Sequence, residues 1–220
     1  MVTPNRRTLR AIMSITMITV IAAVLVTGSH EISHERIEEN RHARLLRTLH
    51  QVLNPSSHDN ELTRNRRAVR DLELLGSSDP VDVFIATREE RPVAALFSSV
   101  APRGYNGRIH LLIGITDDGI VTGVRVTSHN ETPGLGDAIE IEKSDWIRGF
   151  EGTSLSSPPL DDWAVSRDDG RFDAITGATV TPRAVVNGVK NTLLYFHRHK
   201  DELFAEPTGS SSLADESTDE

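Results

Sequence analysis

The chain has 220 residues, which is enough for one ordinary domain with extensions. Its 24 Lys and Arg residues against 32 Asp and Glu give a formal net charge of −8. This balance argues against a nucleic-acid partner, because nucleic-acid binding depends on neutralising phosphates. The absence of cysteine excludes disulfides, thiolate metal sites and cysteine-ligated iron–sulfur clusters in this chain. If the protein moves electrons, a cofactor held by other chemistry must carry them.

An uncharged, largely apolar segment lies near the N-terminus. Residues 11–29 contain no Asp, Glu, Lys or Arg, and as a helix they would extend about 28 Å at roughly 1.5 Å per residue, close to the thickness of a bilayer core. We predict a transmembrane helix over 11–29 and a cytoplasmic stub over 1–10. The alternative is a cleaved signal peptide, because Arg6, Arg7 and Arg10 precede the segment. Its length and the lack of an Ala-x-Ala site after it favour the anchor.

Residues 30–80 are predicted to form a juxtamembrane helical region. Apolar residues recur there at roughly helical spacing: Ile37, Leu45, Leu49, Val52 and Leu53. Asn54-Pro55 should end this helix. His30 and His34 share one helix face, but no third ligand is in register, so we predict a solvated face and no metal site.

Residues 81–204 carry alternating patterns that predict an antiparallel sheet. Strands are expected over 82–87, 93–100 and 108–115, and beyond the turn Asp117-Asp118-Gly119. The third strand places Ile109, Leu111, Ile113 and Ile115 on one face. A short helix is expected near Asp137, and a short strand over 163–165. With the final helix, the predicted fold class is α+β, an antiparallel sheet flanked by helices.

The final helix has the clearest pattern. Thr181-Pro182 suggests an N-cap followed by proline at the first helical position. An apolar stripe at helical spacing follows: Val185, Val189, Thr192, Leu193 and Phe196. The helix should run to about Phe204. Residues 205–220 contain no Lys or Arg and are rich in Asp, Glu, Ser and Thr, which predicts a disordered acidic tail.

The segment Asp173-Ala174-Ile175-Thr176-Gly177-Ala178-Thr179 ends just before that helix. Its small residues expose backbone, and a helix N-terminus offers unpaired N–H groups and a positive partial charge, which suit a phosphate. Spacing alone leaves two interpretations open, an anion site or simply a turn with an N-cap.

This segment resembles the flavinylation motif Asp-x-x-(Ser/Thr)-Gly-Ala-Thr of FMN-binding domain proteins. In that family a separate flavin transferase uses FAD and Mg²⁺ to join FMN to the hydroxyl of the last threonine. The resemblance implies covalent FMN on Thr179, through a phosphoester. Asp173, Thr176, Gly177 and Ala178 would be recognition residues.

Three further segments are similar to the G subunit of Rnf-type electron transport complexes: residues 176–186, residues 129–136 (His-x-Glu-Thr-Pro-Gly-Leu-Gly) and the turn 104–107. The resemblance implies an FMN-binding domain over 81–204 that acts as an electron carrier in a translocase rather than as a stand-alone catalyst. The complex would couple electron flow between ferredoxin and NAD to ion translocation. Its other membrane and iron–sulfur subunits would be partners, and the location would be a bacterial inner membrane with the C-terminal domain periplasmic.

Two alternatives belong beside this interpretation. The C subunit of the sodium-pumping NADH:quinone oxidoreductase shares the Pro-Gly-Leu-Gly loop and the motif, but it is usually longer and typically has Leu-Thr-Ser where this chain has Val180-Thr181-Pro182. The other is a non-redox membrane-tethered binding or assembly module, in which the Thr-Gly-Ala-Thr turn is only an N-cap.

The loop 129–136 is expected to lie against the isoalloxazine ring, through Glu131, Thr132, Gly134, Leu135 and Gly136, since glycine permits close backbone approach. The alternative is that the loop is a Pro-Gly turn with a purely structural role. The loop lacks Gly-x-Gly-x-x-Gly and a βαβ context, so dinucleotide binding is rejected. Three aromatic residues are candidates to stack on the flavin, with a core role as the default: Tyr105, Trp146 and Trp163.

Overall fold

The computed structural model describes residues 43–205, together with Met13, residues 15–17 and Thr19. The chain divides into two units, Met1–Leu45 and Leu46–Glu220. In the first unit the described residues are helical. Among the residues that are described, no helix is both long enough and apolar enough to cross a membrane. The stub 1–10, most of the predicted anchor 11–29, the histidine pair and the acidic tail 206–220 lie outside the described residues.

A five-stranded antiparallel sheet forms the centre of the second unit. Its strands lie side by side in chain order: β1 (Arg66–Asp71), β2 (Ser77–Arg88), β3 (Arg91–Gly104), β4 (Gly107–Thr116) and β5 (Val121–Ser128). Helix α1 covers residues 43–52, and helix α2 covers Val180–Phe204. Five 3-10 helices complete the described elements: Pro55–Ser57, Gly136–Ile139, Asp145–Phe150, Leu160–Asp162 and Ser166–Asp168. The predicted α+β architecture of an antiparallel sheet with helices is confirmed.

Helix α2 packs on one face of the sheet, against β3 and β4. Its predicted apolar stripe is buried throughout, and so is the predicted face of β4. Gly188 lets the helix approach closely, because a Cβ there would lie 3.1 Å from Ala101 Cβ and 3.1 Å from Leu111 Cδ1. This face holds most of the hydrophobic core.

The end of α1 covers the opposite face. Leu49, Val52 and Leu53 are buried, and a Cβ added at Gly114 would lie 2.6 Å from Val52 Cγ1. The helix ends at residue 52, and Asn54 then caps the 3-10 helix Pro55–Ser57 by accepting a hydrogen bond from the Ser56 N–H at 3.0 Å. The predicted stop at Asn54-Pro55 is therefore confirmed.

Two local predictions need correction. The predicted helical region 30–80 contains strand β1, which pairs with β2, so the sheet begins well before residue 81. Residues 163–165 do not form a strand. They lie between the 3-10 helices Leu160–Asp162 and Ser166–Asp168, and Val165 forms a single isolated bridge with Phe172. Strand β1 is fixed by its pairing with β2 rather than by an apolar pattern of its own, and Val165 lies in a short loop closed by its bridge to Phe172.

Candidate functional site

The segment 173–179 forms a tight turn in front of α2. Gly177 has φ +83°, a left-handed conformation that glycine adopts without strain. The Ala178 N–H donates to the Ile175 carbonyl at 3.1 Å. Helix α2 begins at Val180, so Thr179 is its N-cap, and the predicted cap at Thr181 is wrong. Pro182 fits in the first turn because N–H groups there have no intrahelical acceptor.

Within the described chain, the Thr179 hydroxyl makes no capping hydrogen bond to helix α2. It instead accepts a hydrogen bond from Arg167, whose Nη1 lies 2.9 Å from Thr179 Oγ1. Thr179 is half-buried, and Thr176 and Gly177 beside it are exposed. The hydroxyl is thus held next to a cation on a turn that remains open to solvent. The Arg167 contact was missed from the sequence, because no periodic pattern links an arginine in a turn to a threonine 12 residues later.

A second arginine fixes the segment that carries Arg167. Arg183, in the first turns of α2, donates from both Nε and Nη2 to Asp168, with Nη2 2.6 Å from Oδ1. This hydrogen bond holds the pKa of the Asp168 carboxyl below its ordinary value. The pair ties the 3-10 helix Ser166–Asp168 to the start of α2.

The loop 129–136 is closed by its own hydrogen bonds. His129 Nδ1 accepts from the Glu131 N–H at 3.0 Å, and its Nε2 lies 2.7 Å from Glu140 Oε1. The first contact requires the hydrogen on Nε2, so Nε2 donates to Glu140. The Thr132 carbonyl accepts from the Gly136 N–H at 3.0 Å. His129 therefore anchors the start of the loop through both of its ring nitrogens.

Glu131 joins three segments that are far apart in the sequence. Its side chain is 5% exposed, and it accepts from the backbone N–H of Asn106 at 3.0 Å and of Tyr105 at 3.3 Å. It also accepts from the Thr181 hydroxyl of α2. The turn 104–107, the loop 129–136 and the helix entry are therefore brought together by one carboxylate.

Gly136 and Leu135 of the loop lie at the same junction. A Cβ at Gly136 would lie 2.8 Å from Glu131 Cβ and 3.1 Å from Thr181 Oγ1, so a side chain there would force these groups to move. Leu135 is 45% exposed, and its Cδ2 would lie 3.1 Å from a Cβ at Gly177. Thr132 Oγ1 accepts from Asn106 Nδ2 at 3.1 Å. The loop thus presents an exposed apolar side chain directly beside the motif.

The aromatic candidates are placed differently from one another. Trp163 is 1% exposed and packs against Phe172 at 5.0 Å in the core, while Tyr105 is 69% exposed on its turn. Trp146 lies beside the motif, since its Nε1 donates to the Asp173 carbonyl at 2.8 Å. A groove there is lined by Ser144, Asp145, Trp146, Gly149, Arg171, Phe172 and Asp173.

These residues fit an anionic, partly apolar ligand. An arginine lies against the acceptor hydroxyl, helix α2 begins immediately after it, and Leu135 supplies apolar surface next to Gly177. Guanidinium and helix N-terminus both suit a phosphate, and an exposed leucine suits a flat apolar ring system. Fold and site fit an FMN-binding domain. The FMN-binding domain family matches residues 104–194, which include the loop and the motif.

Comparison with known proteins gives a narrower assignment. The chain is 44% identical to the G subunit of the ion-translocating oxidoreductase complex of Shewanella piezotolerans, over 84% of this chain and 89% of that protein. It is 41% identical to the G subunit of the same complex from Pseudoalteromonas atlantica, over 87% of this chain and 89% of the relative. The chain therefore belongs to the family of G subunits of Rnf-type ion-translocating oxidoreductase complexes.

A solved structure with partial similarity is the C subunit of the Na(+)-translocating NADH-quinone reductase from Parabacteroides distasonis, at 21% identity and a TM-score of 0.44. The similarity covers 62% of this chain and 69% of that chain.

Proposed function

We propose that this protein carries FMN joined through its phosphate to Thr179 Oγ1, and that it transfers electrons within an Rnf-type complex. The observation that carries the proposal is the state of this hydroxyl. Thr179 is half-buried, and its hydroxyl makes no capping hydrogen bond within the described chain. Arg167 Nη1 lies 2.9 Å from Thr179 Oγ1. A hydroxyl held beside a cation at a helix entry is well placed to become a phosphoester.

The attachment is a balanced group transfer. Thr179 Oγ1 attacks the phosphorus of the FMN half of FAD, the bond from that phosphorus to the AMP oxygen breaks, and AMP leaves. The hydroxyl proton passes to a base of the flavin transferase, so Thr179 needs no catalytic base in its own chain. The exposure of Thr176 and Gly177 supports access by another enzyme. The product phosphate keeps one negative charge, which the N-terminus of α2 stabilises by about 0.3–1 kcal/mol.

The chain's own residues bind and orient the flavin. When bound, FMN supplies the electron transfer. We propose that Leu135, Thr132 and Gly134 lie against its ring, because Leu135 is 45% exposed and lies beside Gly177. Glu131 and Gly136 act indirectly, by holding the loop on α2. Asp173, Thr176, Gly177 and Ala178 form the surface that the transferase recognises.

The proposal for assembly draws on the names of the relatives, and the proposal for location draws on the sequence. The names of the relatives describe one component of an ion-translocating oxidoreductase complex. We propose that this chain assembles with the other membrane and iron–sulfur subunits of such a complex, which couples electron flow between ferredoxin and NAD to ion movement. The proposal includes an anchor over 11–29 in a bacterial inner membrane, with the C-terminal domain periplasmic and the acidic tail disordered.

In-gel fluorescence tests the proposal. The full chain is co-expressed with a flavin transferase, denatured and viewed under ultraviolet light. We expect a yellow-green band for the wild type and for Thr179→Ser, which keeps a hydroxyl, and none for Thr179→Ala. Thr127→Ala, at an exposed threonine of β5, is the matched control and should remain fluorescent. A dark wild-type band would favour the non-redox binding module, and a fluorescent Thr179→Ala band would contradict the assignment.

A further inference from the structure

Arg167 is exposed, but the backbone of the loop that carries it is fixed by hydrogen bonds. The segment 165–172 is a closed loop, in which the Ser166 N–H donates to the Phe172 carbonyl at 2.6 Å and the Asp168 N–H to the Val165 carbonyl at 2.8 Å. Val165 and Phe172, at its two ends, are buried in the core. The Ala174 N–H donates to Ser166 Oγ at 3.2 Å, which ties the start of the motif to the same loop.

Arg167 donates its hydrogen bond to the acceptor threonine, while its acidic neighbour Asp168 accepts from a different arginine. The carboxylate of Asp168 receives Arg183, with Nη2 2.6 Å from Oδ1. Arg167 Nη1 donates to Thr179 Oγ1 at 2.9 Å. A phosphate at the same place would add an opposite charge and a second acceptor oxygen, which the planar guanidinium can bind bidentately and a single neutral hydroxyl cannot offer.

We infer that Arg167 is a positioning residue for the phosphoryl transfer to Thr179, and that it afterwards holds the phosphodiester. This inference rests on the proposed function. By donating to one lone pair of Oγ1, Arg167 directs the hydroxyl hydrogen away from itself and leaves the other lone pair to attack phosphorus. As the new bond forms, the same N–H groups lie next to the charge on the phosphoryl oxygens. In the product, they fix the point from which the flavin extends.

The rate of modification tests the first half of this inference. Purified, unmodified full chain is incubated with flavin transferase, FAD and Mg²⁺, and the attachment is followed by intact mass. We expect Arg167→Ala to lower kcat/KM for the acceptor chain by roughly ten- to a hundredfold, since a charged donor is lost. The kcat/KM of Arg167→Lys should lie between those of the wild type and Arg167→Ala, because lysine keeps the charge but lacks the planar set of guanidinium donors. Arg198→Ala, at an exposed arginine near the other end of α2, is the control and should match the wild type.

Two further measurements separate positioning from a structural role. The melting temperature of unmodified Arg167→Ala should stay within about 2 °C of the wild type, because an exposed contact contributes little to stability. After full modification, the ³¹P resonance of its phosphodiester should be displaced from the wild-type position, while Arg198→Ala should overlay the wild type.

Each outcome decides between the two claims. If the wild type is modified at Thr179 and Arg167→Ala is modified within about twofold of its rate, the role of Arg167 is refuted and the flavin proposal stands. An unchanged ³¹P resonance would refute the second half of the inference. If the wild type itself takes no flavin on Thr179, the proposed function is refuted, and the inference about Arg167 with it.

Discussion

Replacing Thr181 with valine is expected to weaken the junction at Glu131. The substitution keeps the shape of the side chain and removes the hydroxyl that donates to this 5% exposed carboxylate. A hydrogen bond to a charged group contributes about 1.5–3 kcal/mol, so the free energy of unfolding should fall by about that amount. Glu131→Ala should cost more, about 3–5 kcal/mol, because it leaves the buried hydroxyl and the N–H groups of Tyr105 and Asn106 without their acceptor.

Urea unfolding followed by tryptophan fluorescence measures this difference. The chain has 2 tryptophans, and both lie in the sheet-containing unit. The unfolding midpoint should move to lower urea with an unchanged slope. Thr127→Val, at an exposed threonine of β5, is the matched control and should stay within about 0.5 kcal/mol of the wild type. A Thr181→Val variant as stable as that control would show that the carboxylate does not hold the helix entry.

Two further predictions concern the same site. Gly136→Ala should lower the free energy of unfolding by about 1–3 kcal/mol in a thermal melt, because its Cβ would lie 2.8 Å from Glu131 Cβ; Gly149→Ala has open space and should cost less. The hydrogen bond from Arg183 holds the pKa of Asp168 below its ordinary value, so the stabilising effect of Asp168 is present above the ordinary pKa and disappears as pH falls through the lowered one. In melts across pH, Asp168→Asn should therefore be less stable than the wild type at neutral pH and equal to it in strong acid; a gap that persists in acid would contradict this.

Regular patterns made much of the fold predictable. Alternation in β4 and the apolar stripe of α2 each follow from one repeating geometry, and both sets of residues are buried as expected. Strand β1 was missed because it is an edge strand rich in arginine, with an alternating exposed pattern and few apolar residues. Charged residues on an edge strand discourage pairing with other chains, and they also remove the local signal.

The site was predictable as motifs but not as contacts. The resemblance singled out the turn 104–107, the loop 129–136 and the segment 173–179, yet nothing in their spacing predicts that one carboxylate joins the first two to α2. The contact between Glu131 and Thr181 spans 50 residues, and that between Arg167 and Thr179 joins two irregular segments. The pair Thr181-Pro182 matches the usual N-cap pattern. The sequence did not reveal that the Thr181 hydroxyl donates to Glu131 instead.

Peptide mass spectrometry of the native protein addresses the central claim most directly. The chain is purified from cells that contain a flavin transferase, digested, and fragmented across residues 171–183. We predict a mass increase equal to FMN less one water, localised by fragment ions to Thr179. An unmodified peptide from such cells, or the same added mass on Thr176 or Thr181, would contradict this account of how the protein holds its flavin.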